Sequence, residues 1–465
     1  MKPLKKIKHI HFVGIGGSGM IGIAYLLVRK GYSISGSDLN RSKELKDLKD
    51  LGAKIYYKHD EKNVGKADLL VMSSAIRSSN PEYRKAKREG ITIIPRAQML
   101  GSLMRGYESI AVAGSHGKTT TTSMIANIFS EAILSPTYIV GGKVLGIGKN
   151  SELGTGNYLI AEADESDGSF LHLQPDVGVF TNIDNDHLSH YDNDIDKLLK
   201  SFQMFAENIP FYGALIINKD DKNVRAIAKK VPRRQISFGF SSKSNYQITN
   251  VNYKKHFQNF NIIDHIQDKT YAFSLPMPGK HNLYNAAASI AAAIEEGISI
   301  KYIQNGLKNF KGVSRRFEKS KLIINNKKIT FIDDYGHHPE EIKSTISAIH
   351  QAFPNKRICM IFEPHRYTRT AQLYNDFIKV LSTTDTLLLF DIYPASELPI
   401  KGISSRKLLE SIKQNGHLNA NHTSKELILG DIKNSTNSFD ILVTQGAGTI
   451  SQLNNSIKEK WALKK

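Results

Sequence analysis

Residues 109–122 read SIAVAGSHGKTTTT, an apolar run that passes through Gly114 into Gly117-Lys118-Thr119 and a threonine-rich segment. A strand feeding a glycine turn that opens a helix lets backbone amides wrap phosphate oxygens, and the helix N-terminus adds a field that favours negative charge. In such a loop the lysine reaches the β- and γ-phosphates and the following hydroxyl ligates Mg2+. Gly114, Ser115, His116, Gly117, Lys118, Thr119 and Thr120 are therefore the expected ATP-binding residues. The loop is a variant, because Val112 stands where the common pattern places its first glycine. The context such a loop requires is a parallel sheet covered by helices.

ATP chemistry needs a divalent cation, Mg2+ or in its place Mn2+. Residues 157–167, NYLIAEADESD, form a strand that ends in acids. Mg2+ takes one or two carboxylates, a hydroxyl and phosphate oxygens. Glu162 is the first candidate, with Thr119, whereas Asp164 and Glu165 read as capping or solvent-facing residues. His187, in TNIDNDHLSH, follows another strand and joins the candidate metal set.

A second glycine loop lies upstream. Residues 11–20, HFVGIGGSGM, space Gly14, Gly16 and Gly19 as a pyrophosphate-binding turn does, and Asp38 stands where a dinucleotide fold places its ribose acid. The spacing suits NAD, FAD or any other ligand carrying a pyrophosphate, and alone it does not choose among them.

Apolar runs and helical patterns alternate through three blocks: 1–106, 107–313 and 314–465. The first holds IHFV, YSISGSD, AKIYY, DLLVMSS and ITIIP; the second SIAVAG, NYLIAEAD, DVGVFTNI and GALIIN; the third KITFIDD, KRICMIF, DTLLLF and FDILVTQGAG. Residues 245–275 break the rhythm with polar–apolar alternation and predict an antiparallel appendage, after which NLYNAAASIAAAIEEG returns to a helix. The expected fold is α/β in three domains: Rossmann-like, P-loop ATPase-like with a parallel sheet plus the appendage, and Rossmann-like again.

Composition narrows the function classes. In 465 residues there is one cysteine, Cys359, which excludes an internal disulfide framework and fits a reducing cytoplasm. The net charge of +19 is spread along the chain without a block of five basic residues, which speaks for lysine-rich surfaces and against nucleic-acid binding. Glycines interrupt the apolar stretch after the basic N-terminus, and no stretch approaches 18 uninterrupted apolar residues, so neither export nor membrane insertion is expected.

HFVGIGGSGM, SGSD, SHGKTTTT, EADESD, TNIDNDH, PGKHNLYNAAA, SRRFE, DDYGHHPEE and PHRYTRT, in that order through all three blocks, resemble the Mur ligases of bacterial cell-wall synthesis. The resemblance implies a UDP-sugar domain, a central ATPase domain and a C-terminal domain that helps hold an amino acid. The implied reaction joins L-alanine to the muramoyl carboxylate of UDP-N-acetylmuramate through an acyl phosphate, in a cytoplasmic monomer or homodimer. Gly14, Gly16, Gly17, Ser18, Gly19, Met20, Asp38, Ser73 and Ser74 would then bind the UDP-sugar. By the same resemblance His281, Asn282 and Asn285 lie near the adenine, and Arg316 and Asp334 reach ATP from the third domain. His337, His338, His365, Arg366 and Arg369 surround the acceptor and alanine site. Lys118, Arg316, Asp334, His337 and His338 would carry the chemistry, one of the two histidines freeing the amine. Glu363 departs from the usual glutamine before the proline and adds a carboxylate near the arginine pair. Three rivals remain at this level: a ligase that recycles a whole tripeptide onto the same sugar nucleotide, a NAD-dependent oxidoreductase and a non-catalytic nucleotide sensor.

Overall fold

The computed structural model describes residues 4, 6–146, 149–185, 188–254, 256–395 and 397–462; of Ser18, Lys149 and Ser189 it describes the backbone alone. Three sheets follow one another along the chain. The first comprises β1 (His9–Val13), β2 (Ser33–Ser37), β3 (Lys54–Tyr56), β4 (Leu69–Met72) and β5 (Thr92–Pro95) in the order β3-β2-β1-β4-β5. All its pairings are parallel. The order reverses beside β1, and ligands bind at such a switch point, outside the carboxyl ends of the strands.

The second sheet has ten strands: β6 (Glu108–Ala113), β7 (Thr137–Val144), β8 (Lys149–Glu152), β9 (Tyr158–Glu162), β10 (Val177–Phe180), β11 (Ala214–Asn218), β12 (Arg234–Gly239), β13 (Tyr246–Lys254), β14 (Phe257–Asp264) and β15 (Lys269–Leu275). Their order is β15-β14-β13-β12-β11-β10-β6-β9-β7-β8. The expected appendage is β13–β15, which extends the sheet and includes the antiparallel pair β14–β15. The third sheet runs β16 (Glu318–Ile324), β17 (Lys327–Asp334), β21 (Ile441–Gln445), β18 (Ile358–Phe362), β19 (Thr386–Leu389) and β20 (Ala420–His422), parallel apart from the β16–β17 hairpin.

By compactness the chain forms two units. One takes the chain up to Asn252 with Gln258–Pro276 and Asn282–Lys311; the other takes Tyr253–Phe257, Met277–His281 and everything from Gly312 onward. Sequence blocks one and two thus share a unit and a core: Ile23 and Leu27 belong to the same buried cluster as Ile139, Phe170 and Phe202. Gly22 permits this contact. A Cβ there would come within 3.2 Å of the Ile139 and Ser151 side chains, so the missing side chain at position 22 lets the helix Ser18–Arg29 lie close against β7 and β8 without displacing them. Among the described residues no helix is long and apolar enough to cross a membrane.

Candidate active site

The variant phosphate loop forms as its sequence requires. It links β6 to the helix Lys118–Glu131, with Gly114 at φ 141° and Gly117 at φ 83°, conformations that L side chains rarely adopt. A Cβ on Gly117 would also run into the Asn285 carboxamide. The segment after β10 braces the loop. Asn182 accepts from the Ser115 amide through its carbonyl (3.0 Å) and from the His116 amide through its side chain (2.9 Å), and Thr181 Oγ1 donates to the His116 carbonyl (2.7 Å).

Lys118 is turned inward. Its Nζ donates to the Gly114 carbonyl (2.5 Å) and to both oxygens of Glu165 (3.0 and 2.7 Å). Glu165 has no exposed surface, so it is neither the capping nor the solvent-facing residue that the sequence suggested. Burial disfavours the Lys118 ammonium, but the charges of Glu165 and Asp164 more than offset it and hold its pKa above the ordinary lysine value. Glu162, the first sequence candidate for the metal, instead accepts the Gly141 amide at 2.6 Å. Asp164 does cap a turn, accepting the Ser166 amide at 3.1 Å. Three acids in four positions left the sequence reading without a direction for each; the fold aims Glu165 at the lysine. Thr119 is half-buried at the start of the helix, Thr120 is buried, and His187 lies outside the described residues.

Asn282 and Asn285 stand beside this loop within the same unit. Thr121 Oγ1 donates to Asn285 Oδ1 (3.2 Å), and Asn285 Nδ2 donates to Asn282 Oδ1 (3.3 Å). Both are buried.

The upstream loop closes on itself. Gly14 N and Ile15 N donate to the Ser37 carbonyl (2.9 and 3.0 Å), Gly17 N to the Gly14 carbonyl (3.2 Å) and Gly16 N to Asp38 Oδ2 (2.8 Å). What it leaves for an anion is the amino end of the helix that begins at Ser18, whose first amides lack intrahelical acceptors. Gly14, at φ 79°, lets Ser73 pack against the turn; Ser74 is exposed. Met20, expected at the sugar nucleotide, is 1% exposed and belongs to the core cluster. A residue that sequence reasoning missed is Arg96: its guanidinium lies where a Cβ of Gly19 would be, beside the first turn of the helix, and its charge also bears on Asp164. Its only sequence signal was a lone basic residue directly after the apolar run of β5.

The second unit gathers the remaining candidates, with His281 among its residues. Asp334, at the end of β17, accepts from Gly336 N (2.8 Å), Gln445 Nε2 (3.0 Å) and Phe317 N (2.8 Å), so its carboxylate organises backbone. Arg316 lies over the Tyr335 ring, 5.1 Å from the centroid, with Nη1 3.7 Å from Glu341. His338 caps the helix Pro339–Ala352, its Nδ1 accepting from the Glu340 amide at 3.3 Å, which makes that nitrogen the unprotonated one. His337 and His365 rings stand 5.5 Å apart, Tyr393 stacks on His365, and buried Arg369 approaches His365 Nδ1 at 3.4 Å. Arg366 adopts φ 73° at the start of the helix Tyr367–Gln372, a conformation costly for a residue that carries a Cβ. Glu363 turns away from this arginine pair. It is buried and accepts from Thr449 Oγ1 (2.6 Å) and Ile450 N (2.9 Å), so it caps the start of the helix Ile450–Trp461 and does not join the arginines.

Family models match all three blocks of the chain. Models described as Mur ligase family, catalytic domain; Mur ligase middle domain; and Mur ligase, glutamate ligase domain match residues 9–108, 112–293 and 315–448. A UDP-N-acetylmuramate–L-alanine ligase of Vesicomyosocius okutanii subsp. Calyptogena okutanii (strain HA) is 46% identical over 455 residues, covering 97% of each chain. The chain belongs to the Mur ligase family. Among solved structures, the UDP-N-acetylmuramate–alanine ligase of Thermotoga maritima superposes with a TM-score of 0.83 at 27% identity, covering 97% of this chain and 98% of that one. A murein peptide ligase of Psychrobacter arcticus 273-4 gives 0.72 at 23% over the same shares, an identity at which the likeness is one of fold. The three-domain Mur ligase architecture is thus the fold of this chain, with three sheets matching three family segments.

Proposed function

We propose that this protein joins L-alanine to the lactyl carboxylate of UDP-N-acetylmuramate at the expense of ATP, releasing ADP and phosphate, as a step of peptidoglycan precursor synthesis. The observation that carries the reading is the 46% identity to a UDP-N-acetylmuramate–L-alanine ligase across 97% of both chains. The site agrees with it, since one unit holds both a pyrophosphate-type turn and a lysine-bearing phosphate loop. A dehydrogenase has no use for the second loop. ATP and a UDP-sugar as joint substrates also place the reaction in the cytoplasm.

Carboxylate and amine do not condense at neutral pH, because oxide is too poor a leaving group. Transfer of the γ-phosphoryl group to the carboxylate makes an acyl phosphate; the alanine amine attacks its carbonyl carbon, and phosphate leaves with the electron pair of the broken C–O bond. The protein's share is positioning and charge neutralisation. The amides around Gly117 and the Lys118 ammonium bind the β- and γ-phosphates, for which Lys118 exchanges Glu165 for phosphate oxygen. Arg316 supplies a second cation for the transferred group. Arg366 and Arg369 take the alanine carboxylate, and His337 or His365 accepts a proton from the ammonium. His338 is a weaker candidate base, because its Nδ1 already serves the helix cap.

The donor set beside the phosphate loop fits Mg2+. The Thr119 hydroxyl and the carboxylates of Glu162 and Glu165, whose charges both bear on Lys118, are the hard oxygen donors this ion prefers. When bound, the ion neutralises charge on the phosphates. The test is ADP release with UDP-N-acetylmuramate and a panel of glycine, L-alanine, L-serine and a muramyl-type tripeptide. Turnover that is greatest with L-alanine is expected; a preference for the tripeptide would make this a recycling ligase instead.

A further inference from the structure

The segment 314–318, SRRFE, carries Arg316 between two residues in left-handed conformations, Arg315 at φ 59° and Phe317 at φ 53°. Neither is glycine, asparagine or aspartate, and each such position costs on the order of 1–2 kcal/mol. Paired left-handed residues redirect the chain twice within three positions, which sets the direction in which the residue between them departs. Strain of this kind persists only where surrounding contacts over-determine it, so the contacts holding this segment decide where Arg316 stands.

Those contacts are identifiable and all lie in the second unit. Phe317 N donates to Asp334 Oδ2 (2.8 Å), Tyr335 N to the Arg315 carbonyl (2.6 Å) and Arg315 Nη2 to the Gly446 carbonyl (2.5 Å). The fourth anchor is the Glu318 carboxylate. One oxygen accepts from Ser314 Oγ and from Arg315 N (3.0 Å each), and the other accepts from Lys458 Nζ at 2.9 Å. Lys458 belongs to the helix Ile450–Trp461, and its side chain has no place among the site residues described above. Burial works against the Glu318 carboxylate, yet Lys458 and the Arg315 amide hold its pKa below the ordinary value, so it stays charged at neutral pH.

We propose that Glu318 and Lys458 are positioning residues of the ligase: they lock residues 314–317 in the strained form that presents Arg316 over Tyr335, and so act on phosphoryl transfer without touching a reacting atom. The inference rests on the role given above to Arg316. Without Lys458 the Glu318 carboxylate loses the one cationic partner it has among the described residues and can turn to water, which releases Ser314 Oγ and the Arg315 amide together. The strain then relaxes and Arg316 is displaced while the fold persists, because Phe317 and β16 remain packed.

A double-mutant cycle in the full-length protein tests this. Arg316→Ala is expected to lower kcat about 10³-fold and Lys458→Met about 10-fold, since misplacing a charged group by about 1 Å costs up to 10²-fold. Because Lys458 acts through Arg316, the double mutant should match Arg316→Ala within about 2-fold, whereas independent effects would multiply. Lys458→Arg should restore most of the activity. Calorimetric titration with UDP-N-acetylmuramate should give wild-type affinity for each variant, and a thermal unfolding transition of wild-type amplitude rules out a loss of fold in the second unit, which holds the substituted residues. Glu318→Gln, which keeps the acceptor and removes the charge, should reproduce the Lys458→Met result and serves if that variant does not fold. Multiplicative losses in the double mutant, or full kcat in both Lys458→Met and Glu318→Gln, would overturn the proposal. Full kcat in Arg316→Ala would overturn the role of Arg316 in the proposed function, and this inference with it.

Discussion

The two glycine loops look alike in sequence and differ in how they are charged. The loop at 114–119 contains its own cation and stores it against a carboxylate with no exposed surface. The loop at 14–19 contains no cation. Its amides from Gly14 to Gly17 are spent on the Ser37 carbonyl, the Gly14 carbonyl and Asp38, and the guanidinium beside Gly19, that of Arg96, comes from the chain that follows β5. A pyrophosphate esterified at both ends carries about two negative charges and changes little during the reaction; the γ-phosphate of ATP is transferred and shifts its charge. The first kind of ligand needs a rigid cradle, the second a movable cation whose resting partner can be exchanged. The difference between the loops thus matches a bound handle and a reacting group.

The largest expected effect comes from removing the movable cation. Lys118→Ala should lower kcat by at least about 10³-fold with UDP-sugar affinity unchanged, since the lost interaction is made to the reacting phosphoryl group. The sequence alone treats this lysine as pure phosphate chemistry; the structure adds a cost in stability, because Glu165 is left buried without its partner, worth about 3 kcal/mol. Burial already raises the Glu165 pKa, with Lys118 opposing. Without Lys118 it rises further, the folded state binds a proton more tightly than the unfolded one, and stability increases as pH falls. The Tm deficit of Lys118→Ala should therefore shrink from pH 8 to pH 5. Adding Glu165→Gln should restore Tm and leave turnover lost. A Tm equal to wild type at pH 8 would show that the pair carries no stability.

How much of this was legible follows from what each residue's signal depends on. The strand–glycine–helix runs, the antiparallel appendage and the three-block order rest on periodicity and turn chemistry, which are local, and they reappear as three sheets. The strands that sequence reasoning passed over are β7, β8, β12, β16 and β20; the pattern is diluted in three of them, since β7 contains Gly141 and Gly142, β8 is KNSE and β20 has three residues. Side-chain direction after a strand ends is not periodic. That is why the sequence did not single out Glu165 as the partner of Lys118, and why Glu363 went to a helix start and not to the arginines. Gly22 first reads as an interruption of an apolar run; its meaning is a partner, β7–β8, more than a hundred residues away.

An intermediate effect is expected at Arg96. If the upstream loop takes its cation from outside, Arg96→Ala should raise the Kd for UDP and for UDP-N-acetylmuramate about 30-fold while leaving uridine binding and the KM for ATP unchanged, as befits one charge-assisted contact of about 2 kcal/mol. Equal loss for uridine would place the guanidinium at the nucleoside, and no loss would leave the helix N-terminus to hold the diphosphate unaided.

The smallest effect separates two jobs for Asp38. In a dinucleotide fold the acid at this point holds a ribose hydroxyl. Here one carboxylate oxygen accepts the Gly16 amide at 2.8 Å and the other the Asn40 amide at 2.9 Å, so both oxygens are already engaged by backbone. A residue that shapes the turn from beneath keeps most of its value when the charge is removed and an acceptor remains. Asp38→Asn should then raise the Kd for UDP-N-acetylmuramate by no more than about 5-fold, the weakening expected when a charged acceptor becomes neutral, near 1 kcal/mol. Asp38→Ala removes the acceptor as well, frees the Gly16 amide and should cost about 10-fold more. NAD should not bind detectably to wild type or to either variant. A loss above about 100-fold in Asp38→Asn would mean that the carboxylate touches the ligand itself, and the upstream loop would then work as a nucleotide-reading loop rather than a cradle for a diphosphate handle.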